Sequence, residues 1–117
     1  MNRTTMMKQH NLECANIQWS WIFVNHDEKF IVVQKFNGNN IVFDPTWGTK
    51  TSRNDFHNKL ELLEQGYSVK TIEANGYTDS SGRFKVDGYG KTLFNSRLEI
   101  DENGIIRVFF NLKITVK

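Results

Sequence analysis

Gln18-Trp19-Ser20-Trp21 opens the stretch Trp19–Phe36, and the reading of that stretch decides the fold. Side chains alternate across a strand with period two, so Ile17, Trp19, Trp21 and Phe23 read as one apolar, aromatic face of a strand over Ile17–Asn25. The turn-like Asn25-His26-Asp27-Glu28 follows, and Phe30-Ile31-Val32-Val33-Gln34-Lys35-Phe36 reads as the second strand. Asn37-Gly38 then predicts a tight reversal into Asn40–Phe43. The first 45 residues thus read as a three-stranded antiparallel meander.

Working outward, Asp44-Pro45-Thr46-Trp47-Gly48-Thr49-Lys50 reads as a loop, because proline blocks strand continuation and glycine permits unusual backbone angles. Ser52 with Asp55 approximates a capping box. Phe56, Leu60 and Leu63, widened by Leu62, make one buried stripe of a helix over Ser52–Gln65, ended by Gly66. Tyr67–Ala74 is a strand closed by Asn75-Gly76. Gly76–Lys91 is irregular, with a short strand at Arg83–Val86. Leu93–Ile100 is a further strand, turned by Asp101-Glu102-Asn103-Gly104 into the last. There Ile106, Val108, Phe110, Leu112, Ile114 and Val116 alternate inward against Arg107, Phe109, Asn111, Lys113 and Thr115. Met1–Ala15 has no period and reads as flexible or as a short helix. The expectation is an α+β domain over 16–117, with a curved, mostly antiparallel sheet of six or seven strands packed on one main helix.

At 117 residues the chain is long enough to bury a core as one domain without metals or disulfides. A lone cysteine, Cys14, excludes an internal bridge and a multi-cysteine zinc site. Met1–Glu13 lacks the apolar core of a signal peptide, and the apolar runs fall short of membrane-spanning length, so the cytoplasm is the expected location. Fifteen Lys/Arg against thirteen Asp/Glu give +2, a balance that points to an anionic partner only if the positive charge clusters on one face.

The chemistry-bearing residues do not assemble into a catalytic set. His26 at a strand end and His57 on the helix have the order of a ββα-metal nuclease. The chain between them, however, contains an extra strand and the Pro45–Gly48 loop, and surface histidines account for both. Asp27-Glu28-Lys29 matches the acid-x-Lys of metal-dependent nucleases but sits in a turn. Cys14 has no activating partner, and the glycine-rich segment lacks the Lys-Ser/Thr of a phosphate loop. No catalytic residue, metal or cofactor is therefore expected. Binding residues are easier to place. Lys50 and Arg53 lie at the helix entrance, where backbone N–H groups favour phosphate. Arg83, Lys85 and Lys91 are interleaved with Tyr77, Phe84 and Tyr89, a pattern suited to phosphate contacts and base stacking. Trp47, Tyr77 and Tyr89 are the candidate base or ligand pocket. The competing reading makes these aromatics ordinary core and these charges ordinary solvated surface.

Trp19-Ser20-Trp21, the apolar strand Phe30–Phe36, the helix end Leu60-Glu61-Leu62-Leu63-Glu64-Gln65-Gly66 and the strand–acidic turn–strand of Leu98–Val108 carry a resemblance. In element order, roughly residues 17–110 resemble the N-terminal DNA-reading domain of McrA-type, modification-dependent HNH restriction endonucleases. The resemblance implies a reader of double-stranded DNA carrying a modification. Three departures mark this chain: the HNH module that cuts in that family is absent, Ile22 stands where a glycine is expected, and His57 and Lys59 stand out of register with the family's basic helix position. They put cleavage out of reach for the chain alone and leave the kind of modification unread, with a nuclease subunit or other protein as a further candidate partner. The alternative is a small protein-binding domain, such as an immunity or anti-restriction protein. A reader needs its cations on one face, whereas a protein-binder shows an aromatic patch with a mixed rim.

Overall fold

The computed structural model describes residues 1–17, 20–82 and 84–110. The elements run α1 (Arg3–His10), β1 (Ile22–Asn25), β2 (Phe30–Phe36), β3 (Ile41–Phe43), α2 (Lys50–Leu60), a 3-10 turn (Glu61–Gln65), β4 (Ser68–Thr78), β5 (Phe84–Ile100) and β6 (Ile106–Phe110). The fold is α+β: six strands form one mixed sheet in the order β1-β2-β4-β5-β6-β3, with a helix on each face.

The expected meander does not form. β1 and β2 make the antiparallel hairpin, but β3 leaves β2 and pairs with β6 at the far edge. The second side of β2 is taken by β4 in parallel, from Phe30↔Ser68 to Phe36↔Ala74. Parallel neighbours require a long crossover, and residues 37–67 supply it, carrying β3 and α2. Phe30–Val33 is an unbroken buried run, as expected of a strand covered on both faces. On one face Ile31 and Val33 join Ile22, Val24, Val42, Phe43, Phe56, Val69, Ile106 and Val108 under α2. On the other, Phe30 and Val32 join Phe23, Ile72, Ala74 and Tyr89 under Met6 and Leu12.

This division corrects the single aromatic face expected of the first strand. Trp21 packs on the α2 side and Phe23 on the α1 side. The strand begins only at Ile22, so period-two counting from Ile17 does not apply, and Ile17 is exposed. Trp19 lies outside the described residues.

Asn37-Gly38 does turn the chain, both residues having positive φ (51° and 80°), and Asn39 N–H donates to the Phe36 carbonyl at 2.8 Å. A reverse turn spans under about 7 Å, and the two residues from Asn39 to Ile41 add about 7 Å. In a flat sheet, four strand spacings would separate β2 from β3 by about 19 Å. The sheet must therefore roll, and β3 indeed packs against β2. The roll stays open, with β1 and β3 at its two edges.

The first residues form a helix rather than a loose tail. The Asn2 side chain caps α1 by accepting from Thr5 N–H at 2.8 Å, and Met6 is fully buried. The chain then follows the edge of β1, where Glu13 and Val24 exchange both backbone hydrogen bonds. The cap of α2 is Thr49, three residues before the expected Ser52. Its hydroxyl accepts from Ser52 N–H, and the Ser52 hydroxyl accepts from Thr49 N–H, so Ser52 is the far half of the capping box. Phe56 is fully buried and stacks on Phe43 with centroids 4.7 Å apart, while Leu60, Leu62 and Leu63 are half-buried beside it. Gly66 ends the helical run with φ 92°, as its position predicts.

Asn75-Gly76 does not turn. β4 runs on to Thr78, and the expected strands at residues 83–86 and 93–100 are one 17-residue strand, β5. Gly76 serves packing instead: a Cβ there would lie 2.4 Å from the Phe84 ring. In β6, Ile106 and Val108 face the core as expected. Leu112, Ile114 and Val116 lie outside the described residues.

Met6→Ala is expected to cost about 2–5 kcal/mol in urea unfolding, as for other fully buried long side chains. A cost near zero would show that α1 is not docked on the sheet.

Candidate functional site

Strand β2 ends at Phe36, and two segments distant in sequence meet there. The Phe36 ring lies 6.5 Å from Trp47 of the β3–α2 loop and 5.0 Å from Phe84 of β5, edge-on to both. Trp47 in turn meets Trp21 at 5.8 Å, and Trp21 meets Phe43 at 6.1 Å. A ribbon of edge-to-face contacts therefore runs from the half-exposed Phe84 through Phe36, Trp47 and Trp21 into the core beneath α2. Such contacts contribute about 0.5–1.5 kcal/mol each beyond the area they bury.

Backbone geometry fixes the Trp47 corner. Asp44 holds the turn by accepting from Thr46 N–H at 2.8 Å and from its hydroxyl at 2.7 Å, and these bonds hold the Asp44 carboxyl below the usual carboxylate range. Gly48 has φ 57°, and a Cβ there would lie 2.6 Å from the Trp21 ring. The Arg53 guanidinium donates to the Trp47 carbonyl at 2.8 Å and to the Gly48 carbonyl at 2.9 Å. Arg53 is thus spent partly on holding the loop, yet its charge stays beside Trp47. Lys50, the first residue of α2, is exposed, and no acidic residue occupies the first helical turn.

Beyond Ala74 strand β4 loses β2 as a partner, and among the described residues β5 meets β6 only from Ser96. Residues 75–78 and 84–88 consequently form a two-stranded arm. Its base is fixed by the Asn37 side-chain amide, which donates to the Gly76 carbonyl and accepts from Gly76 N–H. In the tip the Asp79 carboxylate accepts from Ser81 N–H and hydroxyl. Tyr77 and Lys85 are cross-strand partners and share one face of the arm, while Phe84 opposite Thr78 shares the other. Tyr77 is 50% exposed, and Lys85 lies 3.6 Å from Asp79 with more than half of its side chain in solvent.

Of the sequence candidates, then, Trp47 and Arg53 share the corner against Phe36 and Lys50 opens α2 beside it, whereas Tyr77 and Lys85 lie on the arm face opposite Phe84, turned away from Phe36. Trp47 is half-buried and pinned rather than free. Lys91 is exposed on β5. Arg83 lies outside the described residues. Tyr89 is not a pocket residue and does not lie on a loop. It is 6% exposed within β5, its hydroxyl donates to Gln34 Oε1 at 2.7 Å, and it accepts from Arg3 Nε at 2.8 Å. The reason is register: Tyr89 opposes Ala74, on the face that α1 covers. Arg3 also donates to the Ile17 and Ser20 carbonyls, so it locks α1 to the chain entering β1. Sequence reading missed this network, since an arginine in an aperiodic segment gives no sign of it.

The histidines do not converge. His26 Nδ1 lies 2.8 Å from the Tyr67 hydroxyl, whereas the His57 ring packs edge-on against Phe43. Burial pushes the Cys14 thiol up, which opposes thiolate formation. Among the described residues no three of His, Cys, Asp and Glu stand close enough to hold a metal ion, and no helix is long and apolar enough to cross a membrane. No family model, curated protein or solved structure matches the chain.

Burial pushes the Tyr89 phenol above its ordinary value of 10.0, against the lowering pull of Arg3. The folded state therefore holds this proton more tightly than the unfolded state. The associated stability is intact below about pH 10 and falls as pH rises through the raised folded value. Urea unfolding across that range should show this alkaline loss, and Tyr89→Phe should remove its share. An unchanged alkaline slope in Tyr89→Phe would place the phenol in solvent.

Proposed function

We propose that the protein is a non-catalytic nucleic-acid-binding module that acts on duplex DNA. The observation that carries this reading is the convergence at Phe36. Trp47 and Phe84 both meet the Phe36 ring, so the Arg53-braced Trp47 corner, with Lys50 at the start of α2, lies beside the base of the arm, and the arm carries Tyr77 and Lys85 together on its other face. Cations held beside aromatic rings are the combination that grips phosphate and contacts bases. The sequence resemblance to McrA-type reader domains points the same way, and with it to a modified base as the feature read. Discrimination of such a base would rest on shape and apolar contact, for which the Trp47 edge and Tyr77 are the available groups.

One observation favours a second reading, docking on a protein. Lys85 pairs with Asp79 on the arm and Lys35 with Glu73 at its base, so charges of both signs stand near the half-exposed Tyr77 and Phe84.

Fluorescence anisotropy with unmodified and cytosine-modified duplexes at about 50 and 200 mM salt separates the two. The DNA reading expects affinity to fall steeply with salt, and Lys50→Ala to weaken binding to every duplex while flattening the salt slope by about one unit. Undetectable or salt-insensitive binding to all duplexes would overturn it in favour of protein docking.

A further inference from the structure

We infer that the β4–β5 arm is the element that enters the DNA, and that it does so through the major groove. This rests on the nucleic-acid reading above and adds to it which element meets which groove. The arm is a two-stranded antiparallel ribbon, and beyond Ala74 its described strands pair only with each other. Adjacent strands lie about 4.8 Å apart, so with the thickness of the two backbones the ribbon is about 10 Å across in its plane. The major groove, about 12 Å wide and 8.5 Å deep, admits a ribbon of this size, and the minor groove, about 6 Å wide, does not. The four residues 75–78 give an arm about 14 Å long, enough to reach the groove floor.

The arm's chemistry fits the same place. Its tip carries Thr78 and Ser80, whose hydroxyls can donate to or accept from base edges, and Ser81, whose hydroxyl donates to Asp79 and can still accept. Lys85 stands on the same strand pair with more than half of its side chain in solvent, and Asp79 keeps its two bonds from Ser81 when Lys85 turns to a phosphate. Tyr77 offers an exposed ring on the Lys85 face, suited to the thymine methyl or a substituent at cytosine C5. The acidic side chains on or beside the arm are Asp79, held by Ser81 and Lys85, the exposed Asp87, and Glu73 at the base, paired with Lys35. With the Asn37 side chain and the Phe36–Phe84 contact fixing its base, the arm is held in one orientation before any ligand arrives.

Groove-blocking tests this directly. Anisotropy is measured on three duplexes of one sequence: bare, saturated with a minor-groove polyamide, and carrying glucosylated 5-hydroxymethylcytosine, whose sugar fills the major groove. The inference expects the polyamide to leave affinity within about twofold, and the C5-glucosylated duplex to change it tenfold or more. Lys85→Glu, a substitution at an exposed site, should lower affinity for the bare duplex at least tenfold with an unchanged melting temperature. Competition by the polyamide with indifference to the C5 sugar would overturn the inference while leaving the nucleic-acid reading intact. Full affinity in Lys85→Glu would do the same. No binding to any of the three duplexes would overturn both.

Discussion

The turn at Asn37-Gly38 sets the constraint on which the rest of the structure depends. It gives the chain only a few residues in which to pass from β2, inside the sheet, to β3 at its far edge. A flat sheet cannot satisfy that reach, so the sheet rolls. Rolling brings β3 and the loop after it back over the end of β2. There Trp47 meets Phe36, and on the other side of Phe36 lies Phe84. The candidate site is thus a product of topology: a short connection forces two distant segments onto one strand end.

The same strand explains the two helices. β2 is apolar on both faces, and each face needs cover. Phe56 of α2 closes one side by stacking on Phe43, and Met6 of α1 closes the other. The α1 side also contains polar groups. Gln34 is fully buried on β2, and its oxygen is satisfied by the Tyr89 hydroxyl and by Arg3 at 3.4 Å. A buried polar side chain left without partners costs about 1–3 kcal/mol, so the Arg3 network is a condition for burying this strand, and it gives α1 a defined seat. Two arginines act alike in this molecule. Arg3 gathers the Ile17 and Ser20 carbonyls, and Arg53 gathers those of Trp47 and Gly48. Each fixes a loop that leads into a regular element.

Local chemistry was legible in the sequence where a single residue type dictates it. Asn37-Gly38, Gly66 and the Asn103-Gly104 turn take the positive φ values that their positions require, apart from Asn103. The helix stripe of Phe56 and Leu60 and the alternation of Ile106 and Val108 face the core as read. Pairing was not legible, because an apolar run such as Phe30–Val33 declares that it is buried without declaring its neighbours. The hairpin assumption then joined β2 to β3, whereas β4 and β6 are the true partners. Asn75-Gly76 reads as a turn by composition, but Gly76 is small because a ring lies on it. α1 was ambiguous since its polar surface has no period, and only Met6 is buried. Of the candidate residues, Trp47 stood out on its Pro/Gly loop and Lys50 and Arg53 at the helix entrance, but the bonds from Arg53 to the Trp47 and Gly48 carbonyls leave no mark in the sequence. Tyr89 was misread because burial by a non-periodic helix leaves no mark on its own neighbours.

The end of the sheet organised by Phe36 is the proposed binding surface. Amide chemical-shift mapping of the isotopically labelled chain during titration with a short DNA duplex tests it most directly. Binding at this surface predicts shifts and broadening concentrated in residues 47–53 and 75–88, with the amides around Met6 and Leu12 moving little. Changes centred instead on α1 or on the β5–β6 strands around Arg97 and Arg107, with the Trp47 corner and the arm unaffected, would contradict it.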